Sequence, residues 1–230
     1  MEQLPNGMTL QIPSDGFPLS TDSMVLAHFA RLPRNARILD LGSGCGTLGL
    51  LLCSGDTGCH VTGIELTEAS HQAAVENIRR NALSHRMESI CADLRQISSL
   101  ISPGSYSCCI SNPPYFSGGP ASKHHTAARR EDDCTLDDLM KAASWALKYG
   151  GDFFLVHKPE RLAEAIATGA AHRLETKRLC LLRHREDSPI ALVLLHLRKG
   201  ARPGLILQEQ SLFHADTTPT PFYREVYHIE

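Results

Sequence analysis

The chain has 230 residues, of which 42% are hydrophobic and 21% charged, a composition typical of one globular domain of α/β size. A formal net charge of −2 provides no global attraction for nucleic acid or membranes, and no apolar run is long enough to span a bilayer. The N-terminus lacks the pattern of a signal peptide, and the eight cysteines form no Cys-x-x-Cys pair. We therefore expect a cytoplasmic protein with reduced cysteines.

Short apolar runs alternate with helical patterns along the chain. Strands are predicted at 36–41, 60–65, 87–92, 106–110, 152–157, 176–184 and 190–198, and helices at 67–83, 135–149 and 160–171. For the helix at 135–149 we expect Thr135 as the N-cap and Gly150-Gly151 as the stop. The alternation predicts an α/β fold with a doubly wound, mostly parallel sheet of seven strands, closed by an antiparallel C-terminal pair.

We interpret residues 1–230 as a single domain. Its parts are an N-terminal loop and helix over 1–35, a Rossmann-like core over 36–200 and a C-terminal extension over 201–230.

Ligand-binding residue types follow the first three strands of the core. Gly42, Gly44 and Gly46 in "DLGSGCG" allow the backbone to turn tightly and to approach a ligand closely. Glu65 ends the next strand and can accept two hydrogen bonds from a ribose diol, and Asp93 follows the third strand. Because ligands bind beyond the carboxyl ends of such strands, these residues predict a nucleoside pocket.

Two classes of nucleoside ligand fit this pattern. Residues 44–49 satisfy G-x-G-x-x-G, with Glu65 about twenty residues later, so an NAD-dependent oxidoreductase is one alternative. However, Asp40 precedes the glycines, and its carboxylate would repel a pyrophosphate but suits an ammonium group.

The segment "ILDLGSGCG", taken with Glu65 and Asp93, resembles the class I S-adenosylmethionine-dependent methyltransferases. The resemblance implies S-adenosylmethionine as cofactor, with Asp40 and the glycine loop at its methionine end. It also implies Glu65 on the ribose hydroxyls and Asp93 near the adenine amino group. The neighbouring positions Leu66, Leu94 and Asn112 complete this side of the predicted cofactor site.

The fourth strand ends in "SNPPYF". Two adjacent prolines cannot continue a sheet, so Asn112, Pro113, Pro114 and Tyr115 leave the strand rigidly. An amino nitrogen conjugated to a π system is a poor nucleophile unless acceptors hold it pyramidal. The Asn112 side chain and the Pro113 carbonyl would supply two such acceptors, fixed before substrate arrives, while Tyr115 offers a face for stacking. No strong base is required.

This motif is similar to the [D/N/S]-P-P-[Y/F] motif of enzymes that methylate adenine N6, guanine N2 or glutamine N5. Together with 15–30, "ARREDDCTLDDL" and "LRKGARPGLIL", it resembles the bacterial tRNA1(Val) adenine-37 N6-methyltransferase family. In this group the residues before the first strand close over the methionine moiety. The resemblance therefore implies a tRNA partner and makes Ser20, Thr21 and Asp22 cofactor contacts, although Thr21 or Asp22 can equally be an N-cap.

Other acceptors remain open at this stage. A glutamine N5-methyltransferase acting on a release factor normally has an extra helical domain, for which the 35 residues before the first strand are too few. A DNA or rRNA base is a further alternative, as is a catalytically idle RNA-binding module.

Basic residues offer sites for phosphates. Residues 173–202 hold eight Lys or Arg against three Asp or Glu, a local charge of +5. The predicted substrate-binding residues are Tyr115, Phe116, Lys123, Arg129, Arg130, Arg183, Arg185 and Lys199. His124 and His125 have no Cys or carboxylate at ligand spacing, so we expect no metal.

Overall fold

A small antiparallel strand pair precedes an eight-stranded mixed sheet. The computed structural model describes residues 2–13, 19–54, 58–113 and 134–229. The strands are β1 (Glu2–Gln3), β2 (Thr9–Leu10), β3 (Arg37–Leu41), β4 (His60–Glu65), β5 (Met87–Cys91), β6 (Tyr106–Ser111), β7 (Leu147–His157), β8 (Leu174–Arg185), β9 (Ile190–Lys199) and β10 (Ile206–Phe213). The helices are α1 (Thr21–Phe29), α2 (Thr47–Cys53), α3 (Glu68–Arg80), α4 (Ile97–Leu100), α5 (Leu136–Ala146), α6 (Leu162–Ala171) and α7 (Pro221–Tyr227).

The large sheet changes winding direction between two adjacent strands. Its strand order is β10-β8-β9-β7-β6-β3-β4-β5. Strand β3 is parallel to both β4 and β6, and only β9 runs antiparallel to its neighbours, β7 and β8. The chain proceeds outward from β3 through β4 to β5 and then returns to β6 on the other side of β3. Doubly wound sheets bind their ligands at such a switch point.

An apolar core covers each face of the sheet. Helices α1, α2, α3 and α7 contribute to one core, and α4, α5 and α6 to the other. Successive residues of β7 alternate between them, so Phe153 and Leu155 face one core and Phe154 and Val156 the other, each at most 1% exposed. Burying such a side chain stabilises the fold by about 1.5–3 kcal/mol. Burial on both faces explains why these strands are continuous apolar runs in the sequence.

The predicted fold class is confirmed, with one strand more than expected. All seven predicted strands are present, and β8 and β9 form the expected antiparallel pair. However, this pair does not close the sheet, because β10 adds a parallel edge strand beyond β8. Ile206 and Leu207 on β10 are 63% and 59% exposed, so this strand lacks the buried apolar pattern that identified the others.

The predicted start of helix α5 is confirmed, and its predicted end is wrong. Thr135 forms a capping box with Asp138, as expected for the N-cap. The helix ends at Ala146, and strand β7 begins directly at Leu147, which pairs with Tyr106. Gly150, with φ 76°, lies where the register between β6 and β7 shifts. The two glycines therefore belong to an irregularity within a strand and do not stop a helix. Helix α3 likewise ends three residues earlier than predicted, at Arg80.

Composition also led us to expect reduced cysteines and no membrane-spanning segment. All eight cysteines are free, and six of them are buried. Within the described ranges, no helix has both the length and the apolar character needed to cross a membrane.

Candidate active site

The site lies at the switch point, where the ends of β3 and β6 are neighbours. Asp40 pairs with Ile110 in the parallel register, so Gly42 and Asn112 leave adjacent strands at the same level. The buried hydroxyl of Ser111 donates a hydrogen bond of 2.7 Å to the Leu41 carbonyl and ties the two strand ends together. The glycine loop and the Asn-Pro motif are thereby held next to each other.

The glycine loop uses a backbone conformation that other residues rarely adopt. Gly42, Gly44 and Gly46 have φ values of 74°, 55° and 87°. The N–H groups of Gly42 and Ser43 both donate to the Ile64 carbonyl at 3.0 Å, which holds the loop against the end of β4. The predicted tight turn is therefore present.

Asp40 is the unusual group of this site. It is fully buried, and neither of its carboxylate oxygens has a hydrogen-bond partner among the described residues. Burial, and then the nearby negative charge of Glu65, raise the pKa of Asp40 to about 8. The buried Ser43 hydroxyl also lacks a partner there. Unsatisfied buried polar groups are costly, so this pair fits a polar ligand, and an ammonium group matches the carboxylate.

A glycine on the neighbouring strand makes room for Ser43. A Cβ placed on Gly63 would lie 2.6 Å from the Ser43 Oγ and 2.8 Å from its Cβ. The glycine within the apolar strand β4 thus permits the close approach of the loop to the sheet.

Glu65 is held in place by the loop and by its own neighbours. Its Oε2 accepts the Gly44 N–H at 2.9 Å, and its Oε1 accepts both the N–H and the hydroxyl of Thr67, at 2.8 and 2.7 Å. The adjacent Leu66 side chain is 49% exposed, so an apolar surface is available beside the carboxylate. This arrangement suits a ribose with a planar base next to it.

The Asp93 carboxylate pairs with groups of its own turn. It caps a short 3₁₀ turn over Leu94–Gln96 by accepting the Arg95 N–H, and it also pairs with the Arg95 guanidinium at 2.5 Å. The hydrogen bond from Arg95 lowers the pKa of Asp93. An adenine amino group that contacts Asp93 would have to share the carboxylate oxygens with Arg95. Leu94, the next residue, is half-buried in the same turn.

The start of helix α1 differs in its cap from what was expected. The N-cap is Ser20, whose side chain accepts the Ser23 N–H, so neither Thr21 nor Asp22 is the cap. The Thr21 hydroxyl is instead 3.1 Å from the Tyr227 hydroxyl of α7, and Asp22 lies in the first turn.

The Asn112 amide is oriented by helix α1. Its Nδ2 donates a hydrogen bond of 3.0 Å to the Oγ of Ser23, a side chain of the buried face of that helix. Because the nitrogen is directed at Ser23, the Oδ1 acceptor is on the other side of the amide. Pro113, half-buried, is the last described residue of the motif. Pro114, Tyr115, Phe116, Lys123, Arg129, Arg130, His124 and His125 lie outside the described residues.

The basic residues of 173–202 do not share one surface. Arg183 and Arg185 lie at the carboxyl end of β8, where Arg185 pairs with Asp187 at 2.9 Å. Lys199 lies at the other end of strands β8 and β9, opposite Leu174 at the start of β8, and its ammonium donates to the Ser144 and Leu147 carbonyls at 2.5 and 2.8 Å. Lys199 therefore does not lie with the other predicted phosphate contacts, and Arg178 is buried against Phe29.

Several residues of this site could not be identified from sequence patterns. Four hydroxyl side chains orient a predicted ligand contact or lie close to one: Ser23, Ser43, Ser111 and Thr67. In the sequence, serine and threonine at such positions cannot be distinguished from ordinary turn residues. Only Ser111 had a signal, since it directly precedes the proline motif. In the part of the chain that the structure describes, no cluster of three or more His, Cys, Asp or Glu could hold a metal ion.

The doubly wound sheet, the glycine loop at its switch point and the strand-end carboxylates define a class I S-adenosylmethionine-dependent methyltransferase. The chain belongs to the methyltransferase small domain family, whose sequence profile matches residues 20–176. This membership excludes the dinucleotide-dependent oxidoreductase that the glycine spacing had left open.

Relatives and solved structures agree with the family. A protein of Photobacterium profundum, 27% identical over 203 residues that cover 86% of this chain and 85% of the relative, is named tRNA1(Val) (adenine(37)-N6)-methyltransferase. A protein of Pectobacterium carotovorum with the same name is 34% identical over 79% of this chain and 74% of its own length.

Among solved structures, one described as a predicted O-methyltransferase from Agrobacterium tumefaciens superposes with a TM-score of 0.76, at 23% identity, over 90% of this chain and 96% of its own. A 16S rRNA N2 methyltransferase of T. thermophilus, in complex with AdoMet and guanosine, superposes with a TM-score of 0.57 at 23% identity. The superposition covers 79% of this chain and 44% of the other chain. These two superpositions show that the folds are similar.

Proposed function

We propose that this enzyme methylates the N6 nitrogen of an adenine in tRNA, in the anticodon loop at position 37, and that it does so in the cytoplasm. The observation that carries the proposal is the Asn112 amide, held by Ser23 beside the glycine loop. The names of the relatives support the adenine and the tRNA.

The residues at the switch point fit the cofactor. S-adenosylmethionine, when bound, supplies a methyl group on a positively charged sulfonium. The unpartnered carboxylate of Asp40 would pair with its ammonium group, which would satisfy a buried charge. Glu65 would bind the ribose hydroxyls, and the exposed face of Leu66 would contact the base.

The Asn-Pro motif would activate the acceptor nitrogen. The Asn112 Oδ1 and the Pro113 carbonyl would each accept one N–H of the adenine amino group and turn its lone pair toward the reacting carbon. The Asn112 amide is held by Ser23 before substrate binds, and preorganised dipoles of this kind lower a barrier. The amine becomes acidic only as it is alkylated, so solvent can take its proton.

The energetic cost of exposing the base favours an anticodon-loop acceptor. Such a base is largely unpaired, so exposing it costs less than flipping a base out of a duplex. Arg183 and Arg185 at the carboxyl end of β8 would contact the phosphates, together with the basic residues of 123–130.

The test is mass spectrometry of the products of in vitro reactions, analysed as nucleosides from the RNAs and as peptides from the protein. The enzyme is incubated with S-adenosylmethionine and, in parallel, with unmodified tRNA, ribosomal RNA or a purified release factor. We expect N6-methyladenosine in the tRNA alone. Methylglutamine in the release factor, or methylated guanine in ribosomal RNA without any tRNA product, would contradict the proposal.

Loss of the Ser23 hydroxyl should weaken catalysis more than cofactor binding. Ser23→Ala removes one hydrogen bond that orients the Asn112 amide, so we expect kcat to fall about 5- to 10-fold. The dissociation constant for S-adenosylhomocysteine, measured by calorimetry, should change less than twofold. Ser105→Ala, at an exposed turn before β6, is the control. An unchanged kcat in Ser23→Ala would show that the amide does not depend on this contact.

A further inference from the structure

A buried asparagine of helix α3 joins the N-terminal segment to the glycine loop. Asn77 is 0% exposed, and all of its amide groups are used. Its Oδ1 accepts the Gln11 N–H at 2.8 Å, while its Nδ2 donates to the Gln11 carbonyl and to the Cys45 carbonyl, both at 2.9 Å. One side chain thus contacts two segments that are distant in sequence.

A second asparagine makes the same backbone contacts one helical turn later. Asn81 accepts the Thr9 N–H at 2.9 Å and donates to the Thr9 carbonyl at 2.8 Å. Asn77 and Asn81 are four residues apart and therefore lie on the same face of the helix. Thr9 and Gln11 are two residues apart and therefore present their backbone groups on the same side of the extended segment. The two asparagines thus pair with this segment as a neighbouring strand would. Unlike Asn77, Asn81 has no contact with the glycine loop in its described hydrogen bonds.

The contact with Cys45 restrains a loop that is intrinsically flexible. Glycine has the largest backbone entropy, and this loop has three glycines with positive φ within five residues. The N–H groups of residues 42 and 43 are tied to β4, and that of Gly44 is tied to Glu65. The peptide between Cys45 and Gly46 is held by Asn77 through its carbonyl and by the Ser43 carbonyl through its N–H, at 2.9 Å in both cases.

We propose that Asn77 is a positioning residue for the cofactor loop. Through Asn77, the binding of S-adenosylmethionine is coupled to the packing of residues 9–12 against helix α3. When the bound cofactor restrains the loop further, the Cys45 carbonyl becomes a more rigid acceptor for Asn77, and the same amide then holds Gln11 more firmly. This inference concerns the cofactor side of the site and is independent of which base or protein is methylated.

Matched variants separate positioning from general stability. Asn77→Ala and Asn81→Ala each remove the pairing with one residue of the N-terminal segment, so both should lower the melting temperature. Only Asn77→Ala also frees the Cys45 carbonyl. We expect Asn77→Ala to raise the calorimetric dissociation constant of S-adenosylhomocysteine about tenfold or more, and Asn81→Ala to raise it less than about threefold. Equal dissociation constants in the two variants would overturn the proposal.

Hydrogen exchange on the unaltered protein tests the coupling even if Asn77→Ala does not fold. Adding saturating S-adenosylhomocysteine should slow exchange at the amides of Thr9 and Gln11 at least about threefold. Helix α6, which packs on the other face of the sheet, should show no change. Binding without any slowing at Thr9 and Gln11 would contradict the coupling. Because this readout uses neither tRNA nor turnover, it distinguishes failure of this inference from failure of the proposed function.

Discussion

Replacing Asn112 with alanine is expected to lower kcat by about 100- to 1000-fold, the range seen when one preorganised electrostatic contact to a transition state is removed. The amide oxygen would accept an N–H of the target amine, and its orientation is fixed by the contact of Nδ2 with Ser23. Alanine supplies neither the acceptor nor the contact with helix α1. Steady-state methylation of tRNA at saturating S-adenosylmethionine measures kcat for wild type and variant.

A conservative variant distinguishes an acceptor from a structural role. Asn112→Asp keeps an oxygen acceptor, so it should retain activity within about tenfold of wild type, while Asn112→Ala does not. In both variants the affinity for S-adenosylhomocysteine should fall far less than kcat falls in Asn112→Ala, because Asp40, Glu65 and the glycine loop are unchanged. If Asn112→Ala turned over at the rate of wild type, the proposed activation of the amine would be wrong.

Replacing Asp40 with asparagine is expected to weaken S-adenosylmethionine binding about 100-fold or more. Asp40 is fully buried without a partner among the described residues, so a cationic ammonium group is the natural complement of its ionised form. Removing one member of a buried ion pair leaves the other charge uncompensated and costs about 3–5 kcal/mol. Calorimetry with both proteins measures the loss. A variant that binds as tightly as wild type would remove Asp40 from the cofactor site.

The same residue makes the stability of the cofactor-free enzyme depend on pH. The pKa of Asp40 is raised from 3.8 to about 8 in the folded state, so between these values the folded chain keeps a proton that the unfolded chain releases. Its contribution to the free energy of unfolding is therefore fully present below about pH 4 and is lost as the pH rises through 8. The affinity for the cationic cofactor should show the opposite trend and increase toward pH 8.

Thermal melts between pH 5 and 8 test this expectation. Asp40→Asn carries no titrating group, so its melting temperature should fall less with pH than that of wild type, and it should exceed wild type at pH 8. Asp187→Asn, an exposed residue paired with Arg185, is the control and should follow wild type. Parallel pH profiles of wild type and Asp40→Asn would show that the Asp40 carboxyl has an ordinary pKa.

Most of the architecture could be predicted from local sequence patterns. Buried strands are apolar runs in the sequence, and helices or glycine-containing turns separate one run from the next. Strands β3 to β9 were all located in this way. Strand β10 was missed because its side chains face solvent, and the end of α5 was misplaced because tertiary pairing of Leu147 with Tyr106 outweighed the helical pattern. Such outcomes depend on contacts between distant segments, which periodicity does not report.

The residues of the candidate site likewise form two groups, one that sequence patterns indicate and one that they do not. Asp40, the glycines and Asn112 could be found because each follows a strand with a residue type that carries chemistry. The residues that orient them could not. Ser23 is 89 residues from Asn112, and Asn77 is 32 residues from Cys45, so neither link has a local signature. Asp93 shows a further difficulty, since its pairing with Arg95 two residues later was as compatible with the sequence as a role in binding adenine.

The central claim is that the Asn112 side-chain oxygen accepts a hydrogen bond from the amine that is methylated. The most direct measurement is the distance from the Asn112 Oδ1 to the adenine N6 in a crystal structure of the enzyme with S-adenosylhomocysteine and an anticodon stem-loop. We predict a distance of about 2.7–3.2 Å, with Nδ2 still directed at Ser23. A target amine more than about 5 Å from Oδ1, outside any hydrogen bond, would contradict the account.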